Sequence, residues 1–185
     1  MEVCSFIKQY YYNPMTVGAL VPSSKNLADK MIEDINFSNA ECILEYGPGT
    51  GIFTEKILQK KKNNTVLLTI EYNDAFYNIL KNKFEDHQNF FIVKDSAANI
   101  IEHLDRHNIK KVDYVISGIP FASLDDNISC DILSSTKEIL GNEGVFITFQ
   151  YTLFKMKLFS QFFKDIEKSK VLFNFPPAYV LKCKV

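Results

Sequence analysis

The chain has 185 residues, 46% hydrophobic and 23% charged, which suits one folded domain with a single core and shows no low-complexity or repeated segment. Its 21 Lys and Arg against 22 Asp and Glu leave a net charge of −1, so no overall positive field favours nucleic acid. The four cysteines form no C-x-x-C pair, arguing against a zinc ribbon or disulfide framework and for a reducing, cytoplasmic setting, and no apolar run approaches the roughly 20 residues of a membrane span.

Val3, Phe6, Ile7, Tyr10 and Tyr11 recur at the spacing of one helix face, and Asn13-Pro14 ends that helix. After Val17 to Pro22, Ser23 or Ser24 can cap a second helix whose Leu27, Ala28, Met31, Ile32 and Ile35 form one stripe. From Glu41 onward short apolar runs alternate with helical ones. Strands are expected near 41–46, 65–71, 90–93, 112–117, 144–151, 170–174 and 178–184, with helices at 51–61, 74–84, 97–105, 126–140 and 153–164. That alternation predicts an α/β fold: a parallel sheet covered on both faces, binding its ligand at the carboxyl ends of the strands where the order reverses. Only Phe175-Pro176-Pro177 separates the last two strands, so a terminal antiparallel hairpin and an open seven-stranded sheet with one reversed strand are expected.

The first strand runs into Glu45-Tyr46-Gly47-Pro48-Gly49-Thr50-Gly51, and the second ends about 20 residues later on Glu71. Glycines let backbone amides approach a ligand, and a carboxylate at the end of the second strand can accept both hydroxyl protons of a ribose. The spacing is G-x-G-x-G, with Ile52 in the slot that a dinucleotide fingerprint reserves for its third glycine. Glu45 at the mouth of the loop would repel a pyrophosphate but can accept hydrogen bonds from the ammonium of a methionine moiety. S-adenosylmethionine therefore fits better than NAD.

The third strand leads to Asp95-Ser96, where the Asp carboxylate can accept from an adenine amino group or cap a helix; the two roles are compatible. The fourth leads to Ser117-Gly118-Ile119-Pro120-Phe121, a stiff loop that can wall a pocket for the methyl acceptor. Methyl transfer from a sulfonium needs mainly an in-line, desolvated nucleophile, so the Ser117 hydroxyl and the loop carbonyls are expected to hold an amine's N–H groups. Tyr12, Phe121 and Tyr151 are candidates for cation–π contact or for ordinary core. His103 and His107 lie four apart without an H-E-x-x-H frame, and no metal site is assigned to them. Lys60-Lys61-Lys62 reads as a helix C-terminus, and Leu153 to Lys164 interleaves apolar groups with lysines as either an interfacial or a sheet-covering helix does.

Val17-Gly18-Ala19-Leu20-Val21-Pro22-Ser23-Ser24, Leu44 to Gly51, Ser117 to Phe121 and Asn174-Phe175-Pro176-Pro177-Ala178 together resemble the bacterial phospholipid N-methyltransferases, relatives of the ribosomal RNA adenine dimethylases. The resemblance implies a Rossmann-like class I S-adenosylmethionine-dependent methyltransferase, peripheral on the inner face of a membrane and acting on phosphatidylethanolamine or a similar amine. It implies a cofactor shell of Leu20, Glu45, Gly47, Gly49, Gly51, Glu71, Tyr72, Asp95, Ser96 and Ser117, with Ser117, Pro120 and Phe121 facing the acceptor. Residues 1–38 are assigned to an N-terminal helical unit that covers the site or touches membrane, and 39–185 to the methyltransferase domain. In the adenine dimethylases the fourth-strand motif is N-[LI]-P-[YF]; here Gly118 precedes Ile119-Pro120-Phe121, so the Asn amide is missing. That departure, and the lack of an added helical domain before Val185, make an RNA base a less expected substrate than a lipid headgroup or a small soluble amine.

Overall fold

The Ser24 hydroxyl accepts the Leu27 N–H at 3.1 Å and so starts α1 (Lys25–Ile32), the first element of a computed structural model that describes residues 24–174 and 176–185. The expected helix over residues 3–12 lies outside the described residues. After α1 come β1 (Cys42–Tyr46), α2 (Ile52–Lys60), β2 (Val66–Glu71), α3 (Asp74–Phe84) and β3 (Phe90–Lys94). A short 3₁₀ turn (Ala97–Asn99) leads into α4 (Ile100–Arg106), then β4 (Tyr114–Ser117), a second 3₁₀ turn (Phe121–Ser123), α5 (Asp126–Leu140) and β5 (Val145–Gln150). The chain finishes with α6 (Met156–Phe162), β6 (Asp165–Val171) and β7 (Ala178–Lys184).

The strands form one seven-stranded sheet in the order β3-β2-β1-β4-β5-β7-β6, parallel except for β7, which runs against both neighbours. The doubly wound sheet with a C-terminal hairpin expected from the sequence is therefore present. The chain winds outward from β1 to β3 and then returns to β4, so the order reverses between β1 and β4, the point where open α/β sheets bind ligands beyond the carboxyl ends of their strands.

Every residue of β1 is buried, because helices cover both faces. Ile43 points to a layer made by Leu27 and Met31 of α1, Phe53 and Ile57 of α2, and Leu80 and Phe84 of α3. Leu44 and Tyr46 point the other way, to Ile100 and Leu104 of α4, Ile132 and Leu133 of α5, and Phe159 of α6. Strand alternation thus divides one apolar run between two cores. Helix α1, from the N-terminal part set apart in the sequence analysis, packs into the first of them.

Two elements differ from expectation. Strand β6 occupies Asp165–Val171 rather than 170–174, and α6 is shortened to Met156–Phe162 from the expected 153–164. The apolar run Val171-Leu172-Phe173 led to the expected strand at 170–174, but β6 is the outer strand of the sheet and its charged residues face water, as edge strands require. Leu172 and Phe173 fall in the following turn, while Leu153 and Phe154 remain in the loop before α6, and all four are exposed.

Gly51, at the start of α2, has φ +84°, and a Cβ there would lie 2.7 Å from both Leu80 Cδ2 and Phe84 Cε2 of α3. These two side chains are 0% and 3% exposed, with no room to retreat. Gly51→Ala is expected to lower unfolding stability in urea titration by about 1–3 kcal/mol through overpacking, beyond any strain that Gly49→Ala causes, since a Cβ at Gly49 meets nothing within 4 Å.

Candidate active site

The loop after β1 is tied to both neighbours at the point where the sheet order reverses. The Gly47 N–H donates to the Ile70 carbonyl at 2.9 Å, extending the ladder toward β2, and the Gly118 N–H donates to the Tyr46 carbonyl at 2.8 Å, extending it toward β4. A Cβ on Gly118 would stand only 2.5 Å from the Gly47 oxygen, so the two loops approach too closely for a side chain at 118. Gly49 has φ +57° and faces open space, leaving its backbone accessible to a ligand, and its N–H donates to Glu71 Oε2 at 3.1 Å.

Two carboxylates lie beneath this loop. Glu45 is fully buried; Thr54 of α2 donates its hydroxyl to Oε2 at 2.7 Å, while Oε1 has no hydrogen-bond donor. Burial, with the Glu71 charge adding to it and the Thr54 bond opposing, pushes the Glu45 carboxyl up to about 8. A carboxyl at about 8 in the fold and at its ordinary 4.5 when unfolded favours the folded state fully below pH 4.5 and loses that contribution as pH rises through 8. An ammonium group brought against Oε1 would offset the desolvation penalty and satisfy the orphaned oxygen. Glu71, 1% exposed, is also raised by burial; its Oε1 accepts the Asn73 N–H at 2.8 Å and its Oε2 the Gly49 N–H. The Tyr72 N–H also points to this carboxylate, so three backbone amides hold it in place at the carboxyl end of β2.

The remaining expected positions divide. Tyr72 follows Glu71 at the carboxyl end of β2 and is 51% exposed. Asp95 follows β3 and accepts from the Ser96 N–H at 2.7 Å, Asn99 Nδ2 at 3.0 Å and His103 Nε2 at 2.8 Å. The helix-capping role considered for Asp95 belongs instead to Ser96, whose hydroxyl accepts the Ala98 N–H at 3.3 Å. Ser117 is fully buried, and its hydroxyl oxygen accepts the Ile119 N–H at 3.2 Å, so it shapes the loop from within. Phe121 requires a correction. Its ring is fully buried edge-to-face against Phe146 and Phe159, centroids 6.2 and 5.2 Å away, so core packing claims it rather than the acceptor pocket. Leu20 and Tyr12 lie outside the described residues. His103 and His107 diverge, the first to Asp95 and the second against the Phe91 ring, and Lys61 donates to the Thr65 and Gln88 carbonyls at 2.9 Å.

Thr54, His103 and Gln150 carry the site without having been singled out for these roles. Gln150, at the end of β5, accepts the Ala122 N–H at 3.3 Å and donates to the Ile119 carbonyl at 3.4 Å, bracing the loop after β4. A long polar side chain closing a strand that is apolar but for Thr148 was the available signal for Gln150, and for Thr54 a hydroxyl on the inward face of α2 beside Phe53 and Ile57.

Residues 22–150, well over half of the chain, match the sequence profile of the ribosomal RNA adenine dimethylases. The chain belongs to this family. It is a methyltransferase, and its methyl donor is S-adenosylmethionine. It is 25% identical over 181 residues to an ornithine lipid N-methyltransferase of Singulisphaera acidiphila, covering 97% of this chain and 94% of that one. It is 37% identical over 92 residues to ribosomal RNA small subunit methyltransferase A of a Sulfurihydrogenibium species, covering 48% of this chain but only 35% of that one. The fold is similar to that of precorrin-6y C5,15-methyltransferase from Geobacter metallireducens, with TM-score 0.69, 14% identity and coverage of 89% and 90% of the two chains.

Glu71→Ala is expected to weaken binding of S-adenosylhomocysteine by about 1–3 kcal/mol in calorimetry, the range for stranding buried hydrogen-bonding partners. Unchanged affinity would remove Glu71 from the site.

Proposed function

We propose that the protein methylates the amine of a lipid headgroup, of the phosphatidylethanolamine or ornithine-lipid kind, at the mouth of the crevice between β1 and β4. The observation that carries this reading is the apolar rim of the same sheet edge. Phe154 is 84% exposed and Phe173 82%, with Leu172 at 62% and Leu153 at 36% beside them in sequence. Because β7 is antiparallel to β5, with Gln150 opposite Tyr179, the turn between β6 and β7 lies at the carboxyl end of β5. Asn174 of that turn lies beside Tyr151 of the loop after β5. Exposed large apolar side chains gathered at the mouth of a site suit contact with a lipid interface.

The similarity to the ornithine lipid enzyme, over nearly the whole of both chains, supports the same reading. S-adenosylmethionine, when bound, supplies a methyl group already activated on its sulfonium. The protein's task is to present the amine in line and away from water. The loop carbonyls, of which those of Ser117, Ile119 and Pro120 also accept from Thr148, Phe121 and Ser123, are the groups that would take an N–H of the acceptor and aim its lone pair. An adenine acceptor would need the Asn side chain of N-[LI]-P-[YF] at position 118, where the Gly47 oxygen leaves no space.

Labelled S-adenosylmethionine offered together with phosphatidylethanolamine or ornithine-lipid vesicles and total RNA is expected to label the lipid. The doubly substituted Phe154→Ser, Phe173→Ser protein is expected to sediment with vesicles at least about tenfold less and to label them correspondingly less, since each ring contributes on the order of 2 kcal/mol when buried. Its affinity for S-adenosylhomocysteine should be unchanged. Label in RNA but not in lipid would overturn the reading.

A further inference from the structure

The carboxyl ends of β1, β2 and β3 present, side by side, the glycine loop, Glu71 and Asp95. Glu71 pairs with Lys94 in the sheet register, so Asp95 lies one residue beyond it on the adjacent strand, roughly 5 Å to the side away from the glycine loop. A ligand with its amino-acid end at the loop and its ribose on Glu71 extends its base toward Asp95.

We propose that His103 is a positioning residue for this base: its imidazole aims one oxygen of Asp95 at the 6-amino group of the donor's adenine and so makes the site selective for a base that carries a donor at that position. The proposal rests on the reading that Asp95 meets the adenine. His103, on α4, is 5% exposed, and its Nε2 is 2.8 Å from Asp95 Oδ2. A carboxylate only accepts, so Nε2 carries the proton in this contact. Oδ1 accepts from the Ser96 N–H and from Asn99 Nδ2, which uses both of its lone pairs. Oδ2 accepts from His103 alone and keeps one lone pair, on a side chain that is 34% exposed at the ligand edge of the sheet. Burial pushes the Asp95 carboxyl up, but the bonds from His103, Ser96 and Asn99 outweigh it and hold the group below its ordinary range, so it remains an acceptor. Three donors thus fix the carboxylate plane, and the one from α4 is rigid because the ring is enclosed by the core.

The arrangement distinguishes an amino from an oxo group. Opposite a 6-oxo base the remaining lone pair meets another acceptor, and the contact becomes repulsive. Calorimetry with S-adenosylhomocysteine and its 6-oxo analogue S-inosylhomocysteine tests this. The unaltered protein is expected to prefer the amino compound by about tenfold or more, the value of a hydrogen bond to a charged group. Asp95→Ala should abolish the preference. His103→Leu should reduce it severalfold, and His103→Gln, whose amide N–H occupies the place of Nε2, should restore most of it. A fold-supporting role alone would lower affinity for both compounds equally.

The outcomes separate. No preference in the unaltered protein overturns the Asp95–adenine reading and the positioning role with it. A preference that Asp95→Ala removes but His103→Leu leaves intact overturns the role of His103 while the adenine contact stands. If His103→Leu does not fold, nitrogen NMR of the unaltered protein decides: the His103 Nε2 resonance should shift with the amino compound and not with the oxo compound at saturation, and equal or absent shifts would overturn the proposal.

Discussion

Two acidic side chains taken out of water under one glycine loop are the constraint on which the site depends. Glu45 and Glu71 each face a desolvation penalty that the protein only partly offsets, through Thr54 for the first and the Gly49 and Asn73 amides for the second. Their charges also oppose one another. A fold selected for stability alone would avoid this arrangement, since an apolar pair there would pack without cost. On the proposed reading the ligand sets an ammonium against the first and ribose hydroxyls against the second, beside a loop that faces open space at Gly49.

The sheet makes this convergence possible. Strand β1 is central, and the order reverses between β1 and β4; the loops after β1 and β4 are then bonded to the neighbouring strands until Gly47 and Gly118 nearly touch. Those bonds have a consequence for substrate. Where the adenine dimethylase motif N-[LI]-P-[YF] has its Asn, this chain has Gly118 with no room for a side chain, and Phe154 and Phe173 are exposed on the same side of the sheet. On the proposed reading the donor half binds S-adenosylmethionine as in the family, while the acceptor half takes an amine other than adenine.

Much of this was legible in the sequence because local signals and global topology agree. The spacing from Gly47 to Gly51 and on to Glu71, and the alternation of strands and helices, depend on neighbours close along the chain. The β6 boundary was not legible, since a charged edge strand and an apolar turn reverse the usual association of apolar runs with strands. Phe121 was misplaced for a related reason. An aromatic after a proline at a strand end reads as a pocket wall, but whether it turns outward or inward depends on Phe146 and Phe159, which arrive from β5 and α6. Gln150, Thr54 and the partnership of His103 with Asp95 are contacts between elements, and their geometry exists only once the sheet has assembled.

Burial holds the Glu45 carboxyl protonated near neutrality, and an ammonium set against it would draw off that proton. Calorimetric titration of S-adenosylhomocysteine at pH 7 in buffers of different ionisation enthalpy measures this directly, because a released proton adds the buffer's heat to the heat of binding. The account predicts release of close to one proton per ligand bound, abolished in Glu45→Gln. Identical heats in all buffers, with tight binding retained, would contradict it.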